Sequence, residues 1–404
     1  CNMNNEVKNV PSLRFPGFTD EWKTVKLGDI AKFSKGAGIP KADINQDGDR
    51  EAIRYGELYT TYGEVVTNVH SKVVSKPSDI LSDANDVLIP SSGETAIDIS
   101  TATYVGKSGV AIGGDLNIVK TDENGKFLSY YFNHKKRIDI AKLAQGVSVV
   151  HLYGSDLKTL KVNLPSEEEQ EKIADFFTAV DERIELASLK VEKLETYKRG
   201  LTQKIFTRTL RFKRDDGSDF PEWKGLRLGD FLSIPKNTRP EKVDRNKIIS
   251  VKLHLKGVVK NDNIDTITLG ANYFTRYSGQ FIYGKQNIFN GALGIIPSEL
   301  NGYVLSTDIP SLDINSKVVD TNFFSIITGR KSFYKPLEKL AIGSGSKRIH
   351  EKELLKVNVV LPSLGEQQKI ATFLSQIDEK ITLETGKLEE LKKFKKALLQ
   401  RMFV

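Results

Sequence analysis

Two stretches decide how this chain is organised: Leu164–Phe206, LPSEEEQEKIADFFTAVDERIELASLKVEKLETYKRGLTQKIF, and Leu361–Phe403, LPSLGEQQKIATFLSQIDEKITLETGKLEELKKFKKALLQRMF. They lie 197 residues apart, and across 143–206 against 340–403 the chain is identical at 25 of 64 positions. In the first, Ile173, Phe177, Val180, Ile184, Ala187, Val191, Leu194, Leu201 and Ile205 fall at alternating spacings of four and three, with Lys198 in the same series. In the second the series reads Ile370, Leu374, Ile377, Ile381, Glu384, Leu388, Leu391, Lys395, Leu398 and Met402. Apolar residues repeating at this period are the seam of a coiled coil. Neither stripe is interrupted by proline, so each predicts a helix about 60 Å long at 1.5 Å per residue. Ser166 and Ser363 are placed to cap these helices, with Glu169 and Glu366 three residues on completing a capping box.

Working outward, the only two tryptophans stand in matching phrases. Glu21-Trp22-Lys23 precedes Leu27-Gly28-Asp29, and Glu222-Trp223-Lys224 precedes Leu228-Gly229-Asp230. Leu13-Arg14-Phe15 recurs as Leu210-Arg211-Phe212, so the second copy carries four extra residues before its tryptophan. Between these ends, residues 35–140 and their counterpart show no continuous alignment. One unit of about 200 residues is therefore used twice, as a shared scaffold carrying two different variable modules. If the second module is compact with neighbouring termini, the two helices must run antiparallel. Val404 then ends near the start of the first module, and a pseudo-twofold axis crosses the coil. That register sets Lys198 opposite Asp378 and Lys395 opposite Asp181, lysines on a seam being costly but able to fix alignment.

The chain has 404 residues, 60 Lys plus Arg against 52 Asp plus Glu, and a formal charge of +8. Such a surplus suits a polyanionic partner without naming one. Cys1 is the only cysteine, which excludes an intrachain disulfide and a Cys-based zinc site. Cys1 and Asn2, ahead of Met3, are set aside from the argument. No apolar run approaches the ~18 residues of a spanning helix, and Asn4, Asn5, Glu6 and Lys8 are not a signal-peptide core, so a cytoplasmic setting without membrane contact is expected.

Catalytic signatures are missing. There is no Pro-Pro pair, hence no Asn/Asp-Pro-Pro-aromatic motif; Gly106-Lys107-Ser108 has Thr101 where a P-loop needs glycine. Gly36-Ala37-Gly38 has Lys41 at the third glycine of a dinucleotide fingerprint, and His350-Glu351 lacks a second histidine at metalloprotease spacing. No catalytic or metal-ligating residue is assigned, and no cofactor is expected on this chain. What remains is binding surface. The polar, glycine-bearing stretches supply Lys35, Ser91, Ser92, Thr95, Ser148 and His151 in the first module. In the second they supply Arg239, Tyr273, Arg276, Lys285, Gln286, Asn287, Ser344, Ser346, Lys347 and Arg348. Amide and cationic side chains read base edges, while hydroxyls, cations and glycine-exposed N–H groups hold phosphates. Each stretch is also compatible with a solvated turn.

Two variable modules, each opened by Trp…Leu-Gly-Asp and closed by Leu-Pro-Ser…Glu…Gln…Lys-Ile-Ala, resemble the specificity subunit of type I restriction-modification enzymes over about residues 13–404. The resemblance implies an α+β fold: two mixed α/β target recognition domains in pseudo-twofold tandem, joined by two long antiparallel coiled-coil helices. The expected boundaries are 13–165 and 209–362 for the recognition domains, 166–208 and 363–404 for the helices. It further implies a chain without catalysis, in which each domain reads one half of an asymmetric bipartite site in double-stranded DNA. Two modification (methyltransferase) subunits would dock on the coil and restriction (translocase and nuclease) subunits would join them. S-adenosylmethionine, ATP and Mg would belong to those partners. A coiled-coil adaptor displaying two protein-binding modules is the competing reading, and a DNA-modifying enzyme with an unrecognised site a third.

Overall fold

The computed structural model describes residues 9–261, 272–343 and 346–404. The chain divides into two units, one joining the residues up to Val191 with Leu383–Val404, the other spanning Glu192–Thr382. Each therefore holds one module, the first part of one long helix and the last part of the other. The architecture is α+β, with sheets in each unit and two long helices, Glu167–Phe206 and Leu364–Met402.

In the first unit a five-stranded sheet runs in the order Ala31–Lys35, Leu116–Thr121, Asp86–Pro90, Thr103–Val105, Val65–Val66, with the last pair parallel and the others antiparallel. Its central strands are buried on both faces because alternate side chains feed different cores. Val87, Ile89 and Val119 join Trp22, Phe127 and Tyr131, while Leu88, Leu116 and Ile118 join Ile53, Val110 and Ile112. In the second unit an antiparallel four-stranded sheet is ordered Leu232–Ser233, Ser311–Ile314, Phe281–Tyr283, Leu293–Ile295. There Phe281 and Tyr283 face one core and Ile282 the other.

Beneath these unlike sheets the scaffold repeats. Lys23–Lys26 pairs antiparallel with Lys161–Leu164, and Lys224–Arg227 pairs antiparallel with Asn358–Leu361, each ladder leading straight into a long helix. Trp22 is enclosed by Phe127, Tyr131 and Phe403, and Trp223 meets Phe206 and Phe323. In both units the start of one helix packs with the end of the other. Ile173, Ala174 and Phe177 share a core with Leu399, Met402 and Phe403, as Ile370, Ala371 and Leu374 do with Ile205. The ion pairs expected from an antiparallel register are both present, Lys395 to Asp181 at 2.6 Å and Lys198 to Asp378. Ile184, Leu194, Ile377, Ile381 and Leu391 are half-buried between exposed neighbours, Leu201 and Leu398 are half-buried, and Val180 is buried.

The capping boxes are not formed. The Ser166 carbonyl does start its helix, accepting from the N–H groups of Glu169 and Gln170, but the Ser363 hydroxyl is buried without a partner. Both glutamates instead turn to arginine. Glu169 takes Nε and Nη2 of Arg14 at 2.6 Å each, and Glu366 takes Nε and Nη2 of Arg211 at 3.2 and 3.0 Å. A forked, charge-assisted pair outweighs a bond to one backbone N–H, especially for a carboxylate shut away from water. Gln170 and Gln367 complete this repeated joint. Each donates to the carbonyl of the proline five residues before it, at 3.2 and 2.9 Å, and accepts from a loop N–H of its own module.

Candidate nucleic-acid interface

In the first unit three separate stretches meet. Ser92–Gly93 pairs antiparallel with Val150–His151, setting Ser92 opposite His151. The His151 ring stacks on Tyr153 at 6.1 Å, and Lys35 Nζ lies 5.5 Å from the centre of that tyrosine ring. A cation, an imidazole, a hydroxyl and an exposed aromatic ring thus share one surface. Ser148 is exposed on the turn between Gln145 and His151, whose backbones exchange hydrogen bonds. The Thr95 hydroxyl donates to Asp98, 2.5 Å away. Ser91 is buried just past the strand Asp86–Pro90, its N–H donating to the Asp115 carbonyl. Tyr153 escaped sequence reasoning; the aromatic two residues beyond His151 was visible, its exposure was not.

In the second unit the candidates form two groups. Arg239 donates to Asn272 at 3.2 Å, and the guanidinium groups of Arg239 and Arg276 lie 5.9 and 5.4 Å from the Phe274 ring. Arg276 is only 3 % exposed; it donates to Asn237 at 3.0 Å, while its Nε has no partner. Burial pulls its pKa below the ordinary arginine value, against the charges of Glu351 and Asp313. Tyr273 sits in the strand Tyr273–Thr275, opposite Ser306. In the other group Arg348 grips the Gln286 amide oxygen through Nε and Nη2 at 3.2 and 2.9 Å, and Asp308 at 3.3 Å. Lys285 pairs with Glu351 at 3.3 Å, and Asn287 accepts from Asn290 at 3.2 Å. Ser346 and Lys347 are exposed beside Arg348. Ser344 lies outside the described residues.

The first module carries a second polar cluster at its join to the helices. Lys395 reaches Glu64 at 3.1 Å as well as Asp181 at 2.6 Å; His134 Nε2 lies 2.6 Å from Glu64, and the Tyr130 hydroxyl donates to Asp181 at 2.6 Å. Burial would raise the Glu64 carboxyl, but the bond from His134 and the Lys395 charge overcome it and hold it at about 2. Burial keeps the Asp181 carboxyl above its usual range despite Lys395. Among the described residues no group of three or more His, Cys, Asp or Glu is arranged to hold a metal ion, and no helix is long and apolar enough to cross a membrane.

Loops bearing cations, amides and hydroxyls, set on a repeated scaffold, are the kind of surface a recognition protein presents. Comparison with known proteins supplies the family. The model of the type I restriction modification DNA specificity domain matches twice, over residues 19–196 and 221–393, and the chain belongs to that family. The specificity subunit of the type I restriction enzyme MjaVIII from Methanocaldococcus jannaschii is 25 % identical over 412 residues, 97 % of this chain and 93 % of that one. The putative MjaX specificity subunit of the same organism is 27 % identical over 314 residues, 74 % and 72 % of the two chains. Among solved structures, the type I restriction-modification S subunit from M. genitalium shares the fold with a TM-score of 0.62 at 15 % identity, covering 98 % of this chain and 99 % of its own. The HsdS subunit from Thermoanaerobacter tengcongensis gives 0.50 at 16 %, covering 97 % and 98 %. The chain is accordingly the DNA-recognition subunit of a type I restriction-modification complex, working with DNA and the other subunits and not itself catalytic.

Proposed function

We propose that the modules at 13–165 and 209–362 each read one half of an asymmetric bipartite DNA site. The helical segments 166–208 and 363–404 form an antiparallel coil with a pseudo-twofold axis, acting as a ruler for the spacer. The observation that carries this reading is the repeated joint under unlike modules: Arg14–Glu169 with Gln170 in one, Arg211–Glu366 with Gln367 in the other. A scaffold that repeats while its loops diverge suits two readers of different sequences. A coil of about 60 Å can hold them more than one DNA turn apart, a turn being about 34 Å. In the first module Lys35, Ser92, Thr95, Ser148 and His151 face the DNA; in the second Arg239, Tyr273, Gln286, Asn287, Ser346, Lys347 and Arg348 do, and Ser344, two residues before Ser346 in sequence, is a further candidate. Ser91 and Arg276, both buried, and Lys285, paired with Glu351 and with a side chain only 13 % exposed, position these loops.

The helices also dock two modification subunits. Leu186 and Tyr197 on the first helix, and Leu383 and Phe394 at the corresponding places on the second, are exposed apolar side chains outside the seam. Exposed apolar side chains repeated at a constant offset suit two copies of one partner. S-adenosylmethionine sits on those subunits, and ATP and Mg on the restriction subunits that join them.

Exchanging residues 35–160 for the matching module of another member, then mapping methylated adenines in cells carrying the modification partner, tests this function. One half-site is expected to change while the other and the spacer persist. Change in both halves overturns the two-reader arrangement; an unchanged target overturns base reading by the module.

A further inference from the structure

One hairpin occurs in both modules. Gln145 and His151 exchange backbone hydrogen bonds at 2.8 and 2.7 Å, and Ile342 and Arg348, 197 residues later, do so at 2.9 Å each. The turn opens in each case with a left-handed glycine, Gly146 at φ +114° and Gly343 at +131°. A Cβ would come within 2.2 Å of the Val149 carbonyl at the first and 2.6 Å of the Ser346 carbonyl at the second. Only glycine adopts such backbone without strain, so the hairpin is a shared device on which the tip residues vary.

The tips differ in kind. The second carries the exposed Ser346 and Lys347. The first carries Val147, 97 % exposed, and Val149, 53 % exposed. A valine left almost wholly in water contributes nothing to the core of its own fold. Its surroundings are polar: Ser148 beside it, His151 and Ser92 at the hairpin base, and Lys35 over Tyr153 next to His151. A branched apolar group standing almost wholly in water, on a hairpin whose base carries a hydroxyl, an imidazole and a nearby cation, matches the DNA major groove, where the apolar feature of the base edges is the thymine 5-methyl group.

We propose that Val147 is a specificity-determining contact of the first module, packing on the 5-methyl group of one thymine in its half-site. The role rests on the two-reader function above. With the target established by adenine mapping, the assembled methyltransferase complex is titrated with duplexes in which thymines are replaced one at a time by deoxyuridine, which removes only the methyl group. The wild-type complex is expected to lose about fourfold in affinity at one thymine of the first half-site, the worth of a buried methyl. Val147→Ala loses a similar factor on the natural duplex and nothing further at that thymine, and an exposed tip residue leaves folding intact. Equal deoxyuridine penalties in wild type and variant overturn the proposal. So does a first half-site without thymine on either strand, a result that leaves the two-reader function standing. Val147-dependent penalties spread over both half-sites overturn that function and the proposal with it.

Discussion

Asp181 and Asp378 occupy the same place in the repeat, and each meets a lysine from the end of the other long helix, but their surroundings differ. Lys395 bridges Asp181 and Glu64, lies 5.4 Å from the Tyr130 ring and has a side chain only 14 % exposed. Among the described residues Lys198 meets only Asp378; it is 33 % exposed and borders a cavity of about 590 Å³ lined also by Arg199, Ser325 and Arg330. The shared pair belongs to the scaffold; Glu64, Tyr130 and His134 belong to the stretch where the halves do not align. The first module is thus fastened to its helices by a polar network of its own, and the second by packing around a more open ion pair. A duplicated scaffold can keep its register while each module finds its own means of attachment.

The largest effect tests what the units share. Replacing Arg14 or Arg211 by methionine strands a buried glutamate, and each is expected to cost its unit about 3 kcal/mol in chemical denaturation. Markedly unequal losses would show that the joint is common in geometry and not in energy. The next sharpens what differs. Lys395→Met should cost about 2 kcal/mol and Lys198→Met less than about 1, since an exposed pair is screened by water. Equal costs would break the contrast.

The smallest effect is one of pH. Because the folded Glu64 carboxyl sits near 2, below its ordinary value of 4.5, the stability it confers is full above about pH 4.5 and is lost as pH falls toward 2. Glu64→Gln should therefore lower the melting temperature at neutral pH, and the gap from wild type should narrow through that window. A gap independent of pH would mean that Glu64 acts through shape and not charge.

Much of the scaffold was legible in the chain. An exact offset of 197, a seven-residue period and the demand for antiparallel helices led to Lys198–Asp378 and Lys395–Asp181 without coordinates. The capping boxes misled because Ser-x-x-Glu is a local signal, and the partner that outbids it, Arg14 or Arg211, lies 155 residues away in sequence. The candidate interface was legible only as stretches. Ser91 and Ser92 are neighbours of one residue type, yet one is buried just past a strand end and the other faces His151. Lys285 looks as free as Lys347 until Glu351 closes on it.

The sequence by itself determined the repeated motifs, the two long helices and the pairing of Lys198 with Asp378 and Lys395 with Asp181, because these rest on periodicity and on residues repeated at a constant offset. Tertiary structure alone decided which cations are already neutralised, which loops converge at His151 and Arg348, and that Val147 stands in water. Burial and pairing are set by residues far apart in the chain, and no local pattern encodes them.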